Sequence, residues 1–258
     1  MRKKLQQHIF HYRQKLGLPL LQKINALRGK KRILLYTDSR GKNIGQQFHY
    51  LHYSEKLARK YSVEAVLVPH KWTTLIDFLS EYKASSHYQN DFDLIILHTG
   101  VVDFAPRPIS SLTDKIYPKK KGKFDSLFGE ERIKAHIAQD LGVEYYGEMT
   151  GNMYSKEMAK DVIIPELLKI PNLLWISGNQ SKSSWVGNYW RERPKNMHVL
   201  DEYVHIFEER LPQVLSFMDW TEDEIKENTF DVIHPNKKGS DLIYSKLEKK
   251  LKEIFQKK

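Results

Sequence analysis

Ile33-Leu34-Leu35-Tyr36-Thr37-Asp38-Ser39-Arg40 reads as a short apolar strand that breaks into a polar turn. A continuous apolar run of this length suits a strand covered on both faces, the usual state in a parallel sheet. Residues 43–60 follow with a helical pattern. Val63 to Val68 forms a second apolar run closed by Pro69, and residues 73–82 again read as helix. Residues 93–97 are a third run, ending at His98-Thr99-Gly100, and Leu173 to Ile176 a fourth, ending at Ser177-Gly178-Asn179. Met197 to Leu200 is taken as a weaker fifth. Residues 236–255 repeat apolar positions at helical spacing through Leu242, Ile243, Leu247, Leu251 and Ile254. Strands alternating with helices imply parallel crossovers. The expected fold is a three-layer α/β/α sandwich around a mainly parallel five-stranded sheet of flavodoxin-like type. In such sheets ligands bind beyond the carboxyl ends of the strands. Ser39, residues 100–103 and residues 177–180 all fall there.

The chain has 258 residues, no cysteine and a formal charge of +10. Lacking cysteine, it has no disulfide, thiolate metal site or cysteine nucleophile. Residues 1–32 hold ten Lys/Arg and no Asp/Glu, so the entire excess charge sits in this arm and the remainder is formally neutral. Leu5, Ile9, Tyr12 and Leu16 predict an amphipathic helix over residues 3–16, broken at Gly17 and Pro19. A second short helix is expected over residues 20–27, both packing outside the sheet. The expected organisation is a basic helical arm, 1–32, and an α/β domain, 33–258. The arm is either a solvated face or a contact for an anionic membrane surface or polymer; nucleic acid is disfavoured by the neutral body. No apolar run has the length of a membrane span, and Gln6, Gln7, His8, Arg13 and Gln14 interrupt any signal-peptide core, so a cytoplasmic protein is expected, with peripheral membrane contact as an option.

Chemistry concentrates in two segments. Ser39 closes the first strand, where a helix N-terminus would favour a developing anion. Asp231-Val232-Ile233-His234 precedes Pro235-Asn236 and the last helix. A serine hydroxyl needs an imidazole to take its proton, and an acid three residues before that imidazole can orient it. Each segment alone also reads as a capping serine or a surface turn.

Taken together, in this order and with these strands between, the segments resemble the SGNH (GDSL-like) hydrolase superfamily from about Ile33 to Leu251. The resemblance implies Ser39 as nucleophile, His234 as general base and later acid, and Asp231 as its orienter. Separately, no glycine-rich phosphate loop and no supported metal-ligand spacing is read, so no cofactor and no metal are expected. It also implies departures. Thr37 stands where the superfamily has a glycine. His70-Lys71-Trp72-Thr73-Thr74 lacks the usual oxyanion glycine. Gly100-Val101-Val102-Asp103 has valine in place of the asparagine donor. The Ser39 and Lys71 backbone N–H groups, Asn179 and Arg40 are the replacement donors considered. Asp38, Arg40, Asp103 and Arg107 are substrate-binding candidates, Arg107 because two prolines present it for bidentate contact with a carboxylate or phosphate; an ion pair with Asp103 is the other reading. The segment 104–160, with its basic cluster Lys119, Lys120, Lys121 and Lys123, is expected to be a lid or substrate-recognition insertion, a mobile loop of little purpose being the other reading. Its Asp103-to-Pro108 stretch resembles SGNH-type proteins associated with bacterial surface-polysaccharide synthesis. These features imply an esterase or O-acyltransferase acting on an acylated carbohydrate, or a glycan-binding relative with weak or no catalysis. A metal reading rests on His49 and His52 alone.

Overall fold

The computed structural model describes residues 9–10, 12–43, 50–181, 185, 187–189 and 192–256. The predicted residues 3–8 of the arm, and His49, lie outside them.

Five strands form one parallel sheet: β1 (Arg32–Thr37), β2 (Ser62–Leu67), β3 (Leu94–His98), β7 (Leu173–Ile176) and β8 (Val214–Leu215), in the order β2-β1-β3-β7-β8. Helices cover both faces, giving the three-layer α/β/α sandwich. The remaining strands, β4 (Arg107–Pro108), β5 (Glu144–Tyr145) and β6 (Glu148–Gly151), make a small antiparallel ribbon.

Alternation along the strands sorts the core. Leu34, Tyr36, Ile95, Leu97 and Trp175 face one side, under α3 (Leu75–Ala84), α4 (Tyr117–Phe128) and α5 (His198–Arg210). Ile33, Leu35, Ile96, Leu174 and Ile176 face the other, under α1 (Leu18–Leu27), α2 (Tyr53–Lys60) and α6 (Lys237–Gln256). Both faces are apolar because both are covered, which is why these strands read as unbroken hydrophobic runs.

Three expectations are corrected. Met197 to Leu200 is not a strand: it leads into α5, whose Leu200, Tyr203, Val204 and Phe207 are buried at helical spacing. The fifth strand is instead the two-residue β8, too short to carry a periodic signal. Pro19 and Gly17 do not break the first helix. Pro19 lies in the first turn of α1, where a missing N–H costs little, and a wide turn at Arg13–Gly17 leads into it. Nor does α1 stay outside the packing: Leu18 joins the core, and Asn25 Nδ2 donates to Ala58 O at 2.8 Å and Tyr61 O at 2.9 Å.

The segment 104–160 is mostly a packed helical layer. Leu112, Ile116, Phe124, Phe128, Ile133 and Ile137 enter the same core as the sheet. Its basic cluster is largely neutralised internally. Buried Lys120 pairs with Asp77, Lys123 reaches the same carboxylate at 2.8 Å, and Lys121 bonds Glu130 at 2.9 Å. Asp77 also closes the capping box of α3 with Thr74, so one buried acid ties that helix to α4.

Candidate active site

The order β2-β1-β3-β7-β8 reverses between β1 and β3, and a crevice opens beyond their carboxyl ends at such a point. Ser39 lies there. After β1 the chain makes a single tight turn, Ser39–Gly41, capped by Asp38, whose Oδ1 accepts the Arg40 N–H at 2.9 Å. A side chain at Gly41 would place its Cβ 1.9 Å from Thr37 Oγ1, so this turn closes only with glycine.

His234 comes from a loop braced at both ends. Phe230 N–H donates to His234 O at 2.7 Å, and Asn236 Nδ2 donates to Glu227 O at 2.7 Å. Inside the loop Val232 has φ 73°, in the left-handed region that β-branched residues avoid. Such a residue costs on the order of 1–3 kcal/mol and persists only where its surroundings over-determine it. Here Thr229 Oγ1 accepts the Val232 N–H at 3.2 Å, and Asn179 Nδ2 donates to Val232 O at 2.7 Å.

These two segments, 195 residues apart, meet. Ser39 Oγ is 2.8 Å from His234 Nε2. His234 Nδ1 is 2.9 Å from both Asp231 oxygens, and the Asp231 Oδ1 also accepts the His234 backbone N–H at 2.9 Å. With Nδ1–H donated to the carboxylate, Nε2 has a lone pair facing the serine hydroxyl, the tautomer a general base requires. Burial pushes the Asp231 carboxyl up, but the His234 hydrogen bonds and charge, with Arg193 nearby, outweigh it and hold it below its ordinary value. Arg193 Nη2 donates to Asp231 O at 2.9 Å and stands 3.5 Å from Oδ2.

Ser39 and His234 line an open cleft of about 200 Å³. Val101, Val102, Arg107, Tyr145, Tyr189 and Arg193 line it as well. Gly100, at φ 121°, turns the chain from β3 into the short helix Val101–Phe104; a Cβ there would lie 2.8 Å from the Phe104 ring. First-turn N–H groups of a helix have no acceptor within it, and those of Val101 and Val102 belong to residues lining the cleft.

The other candidates fall differently. Asp38 and Arg40 are 1% and 3% exposed and pair with each other, with Arg40 also donating to Ser177 O. Neither is among the described residues lining the cleft that Ser39 borders. Asn179 donates its amide hydrogens to Val232 O and Gln180 O, so it braces the histidine loop. Lys71 is exposed, its ammonium 4.5 Å from the Trp72 ring centroid, and it is not among the described residues lining the cleft. Asp103 is buried, accepting from Leu75 N–H at 3.1 Å and Tyr154 OH at 3.2 Å; burial pushes its carboxyl up to about 8. Arg107 does reach the cleft and donates to Val102 O at 3.3 Å. His52 is fully buried, which lowers its imidazole to about 3, with Nδ1 3.2 Å from Ser54 Oγ. Sequence reading missed Arg193. Nothing local marks an arginine whose partner lies 38 residues away.

No protein-family model matches the chain, and no curated protein is significantly similar to it.

Proposed function

We propose that this chain is an SGNH-type serine enzyme that transfers or hydrolyses an acyl ester, with an O-acylated carbohydrate as substrate class. The observation that carries the reading is the unbroken relay from Ser39 Oγ through His234 to Asp231, at 2.8 and 2.9 Å. In the first half-reaction Ser39 Oγ attacks the acyl carbonyl while His234 Nε2 takes its proton. The tetrahedral intermediate collapses, His234 returns the proton to the leaving sugar hydroxyl, and the acyl group stays on Ser39. Water or a second sugar hydroxyl then attacks by the same route in reverse. The oxyanion is assigned to the Ser39 N–H and the first-turn N–H groups of Val101 and Val102, which replace the missing glycine and asparagine donors. Tyr145 and Tyr189 offer aromatic faces to a sugar ring, and Arg107 and Arg193 suit a substrate with an anionic group.

A second reading has its own support. Asn179 is engaged by the loop, and Lys71 lies away from the cleft. Losing one oxyanion donor costs about 3 kcal/mol of transition-state stabilisation. A glycan-binding protein with weak or no turnover answers to that loss.

The test is intact-mass detection of an acyl-Ser39 adduct with aryl acetates of several acyl lengths, beside Ser39→Ala. A serine-dependent adduct and turnover support the enzyme. Neither, together with glycan binding that survives Ser39→Ala, would favour the second reading.

A further inference from the structure

The N-terminal segment has a feature that the proposed chemistry does not use. Nine large apolar side chains are exposed among the described residues, and five of them lie here: Ile9, Tyr12, Leu16, Leu20 and Leu27. Leu27 is 90% exposed and Leu16 64%. They recur at intervals of three, four, four and seven residues, the spacing of one helical face. Leu16 lies in the wide turn before α1, and Leu20 and Leu27 lie on α1, which is not loose. Leu18 and Asn25 anchor α1 to the domain, and Arg13 Nε bonds Glu55 at 2.8 Å.

Cations flank this face. Lys15, Lys23, Arg28 and Lys30 are exposed and have no acidic partner among the described residues, while Arg13 and Lys31 are paired to the body. The two properties together select a partner. A soluble polyanion would neutralise the lysines and leave the leucines in water. An anionic bilayer meets both, with headgroups at the cations and the acyl boundary at the leucines. Among the described residues no helix is long and apolar enough to cross a membrane, so the fitting geometry is a helix lying in the interface.

We propose that residues 9–31 seat the protein on an anionic lipid surface. The inference stands independently of the catalytic reading. It also adds a spatial relation. Arg13 Nη2 donates to Tyr50 O at 3.0 Å, the carbonyl that also receives Asn43 Nδ2 at 3.2 Å, so the arm reaches the side of the domain where the chain leaves Ser39.

The experiment is co-sedimentation of the full chain with vesicles of phosphatidylcholine, with and without phosphatidylglycerol, alongside retention on heparin. Wild type is expected to partition onto the phosphatidylglycerol vesicles, less so at high salt. A Leu16→Ser/Leu20→Ser/Leu27→Ser variant is expected to lose partitioning by about tenfold or more while keeping its heparin retention. A Lys15→Glu/Lys23→Glu/Lys30→Glu variant is expected to lose both. All these side chains are exposed, so melting temperatures should hold; if the triple leucine variant melts early, Leu27→Ser alone carries the comparison. The proposal is overturned if wild type ignores both vesicles, or if the leucine variants bind like wild type. It is equally overturned if those variants abolish a concentration-dependent self-association instead, which would assign the face to a second copy of the chain.

Discussion

Arg193 reaches two oxygens of Asp231 through one nitrogen, its Nη2 2.9 Å from the backbone carbonyl and 3.5 Å from Oδ2, with its guanidinium carbon 3.9 Å from the Tyr189 ring centroid. A fixed cation therefore faces the carboxylate that orients His234. With the His234 hydrogen bonds, it helps to hold the Asp231 carboxyl below its ordinary value. In Arg193→Met that support is lost and Asp231 takes up its proton at higher pH, where it no longer orients His234 as a carboxylate. The acid-side fall in kcat/KM for an ester substrate is expected to move to higher pH. A purely structural role would lower activity at every pH without moving that fall.

Val232 holds its left-handed conformation because Asn179 and Thr229 pin its two peptide groups. Asn179→Ala leaves a carbonyl without its donor and lets the strain relax. The expected cost is about 1–3 kcal/mol in chemical denaturation. A fall in kcat larger than the change in KM is also expected, since the loop carries both Asp231 and His234. An activity unchanged within error would remove Asn179 from the positioning machinery.

Gly41 and Thr37 fill one space. Gly41→Ala would bring a Cβ to 1.9 Å from Thr37 Oγ1, and overpacking of this kind costs about 1–3 kcal/mol or more. Thr37→Gly in the same chain empties that space. The double variant is expected to recover part of the lost stability and of the Ser39-dependent turnover, measured by thermal melting and by ester hydrolysis. Additive losses would mean the two positions are not coupled.

Asp103 and Asp231 respond to pH in opposite senses. Burial lifts the Asp103 carboxyl from 3.8 in the unfolded chain to about 8. The folded state then binds the extra proton, so this group's contribution falls as pH rises from 3.8 to about 8. Asp103→Asn is expected to flatten the decline in melting temperature over that window. Asp231 is depressed below 3.8, so its contribution is present above that value and lost as pH falls through the folded one. Asp231→Asn is expected to remove the acid-side loss and leave the alkaline side unchanged.

Strands β1, β2, β3 and β7 and the long helix α6 were legible because each is a local pattern: an unbroken apolar run, or a repeat at helical spacing. The Ser39 turn and the Asp231-to-His234 spacing were legible for the same reason, since capping and short-range orientation need only neighbouring residues. The sequence by itself therefore determined the sandwich and singled out three side chains that meet at the crevice. It did not determine β8, whose two residues have no period, nor that α5 begins at His198. Roles set by distant partners were equally hidden. Arg40 is buried against Ser177, Asn179 braces Val232, Lys120 neutralises Asp77, and Arg193 attends Asp231. A polar side chain takes its function from whichever donor or charge ends up beside it. Only the packed chain decides that, because burial makes each of those groups find a partner, and the partner lies tens of residues away in sequence.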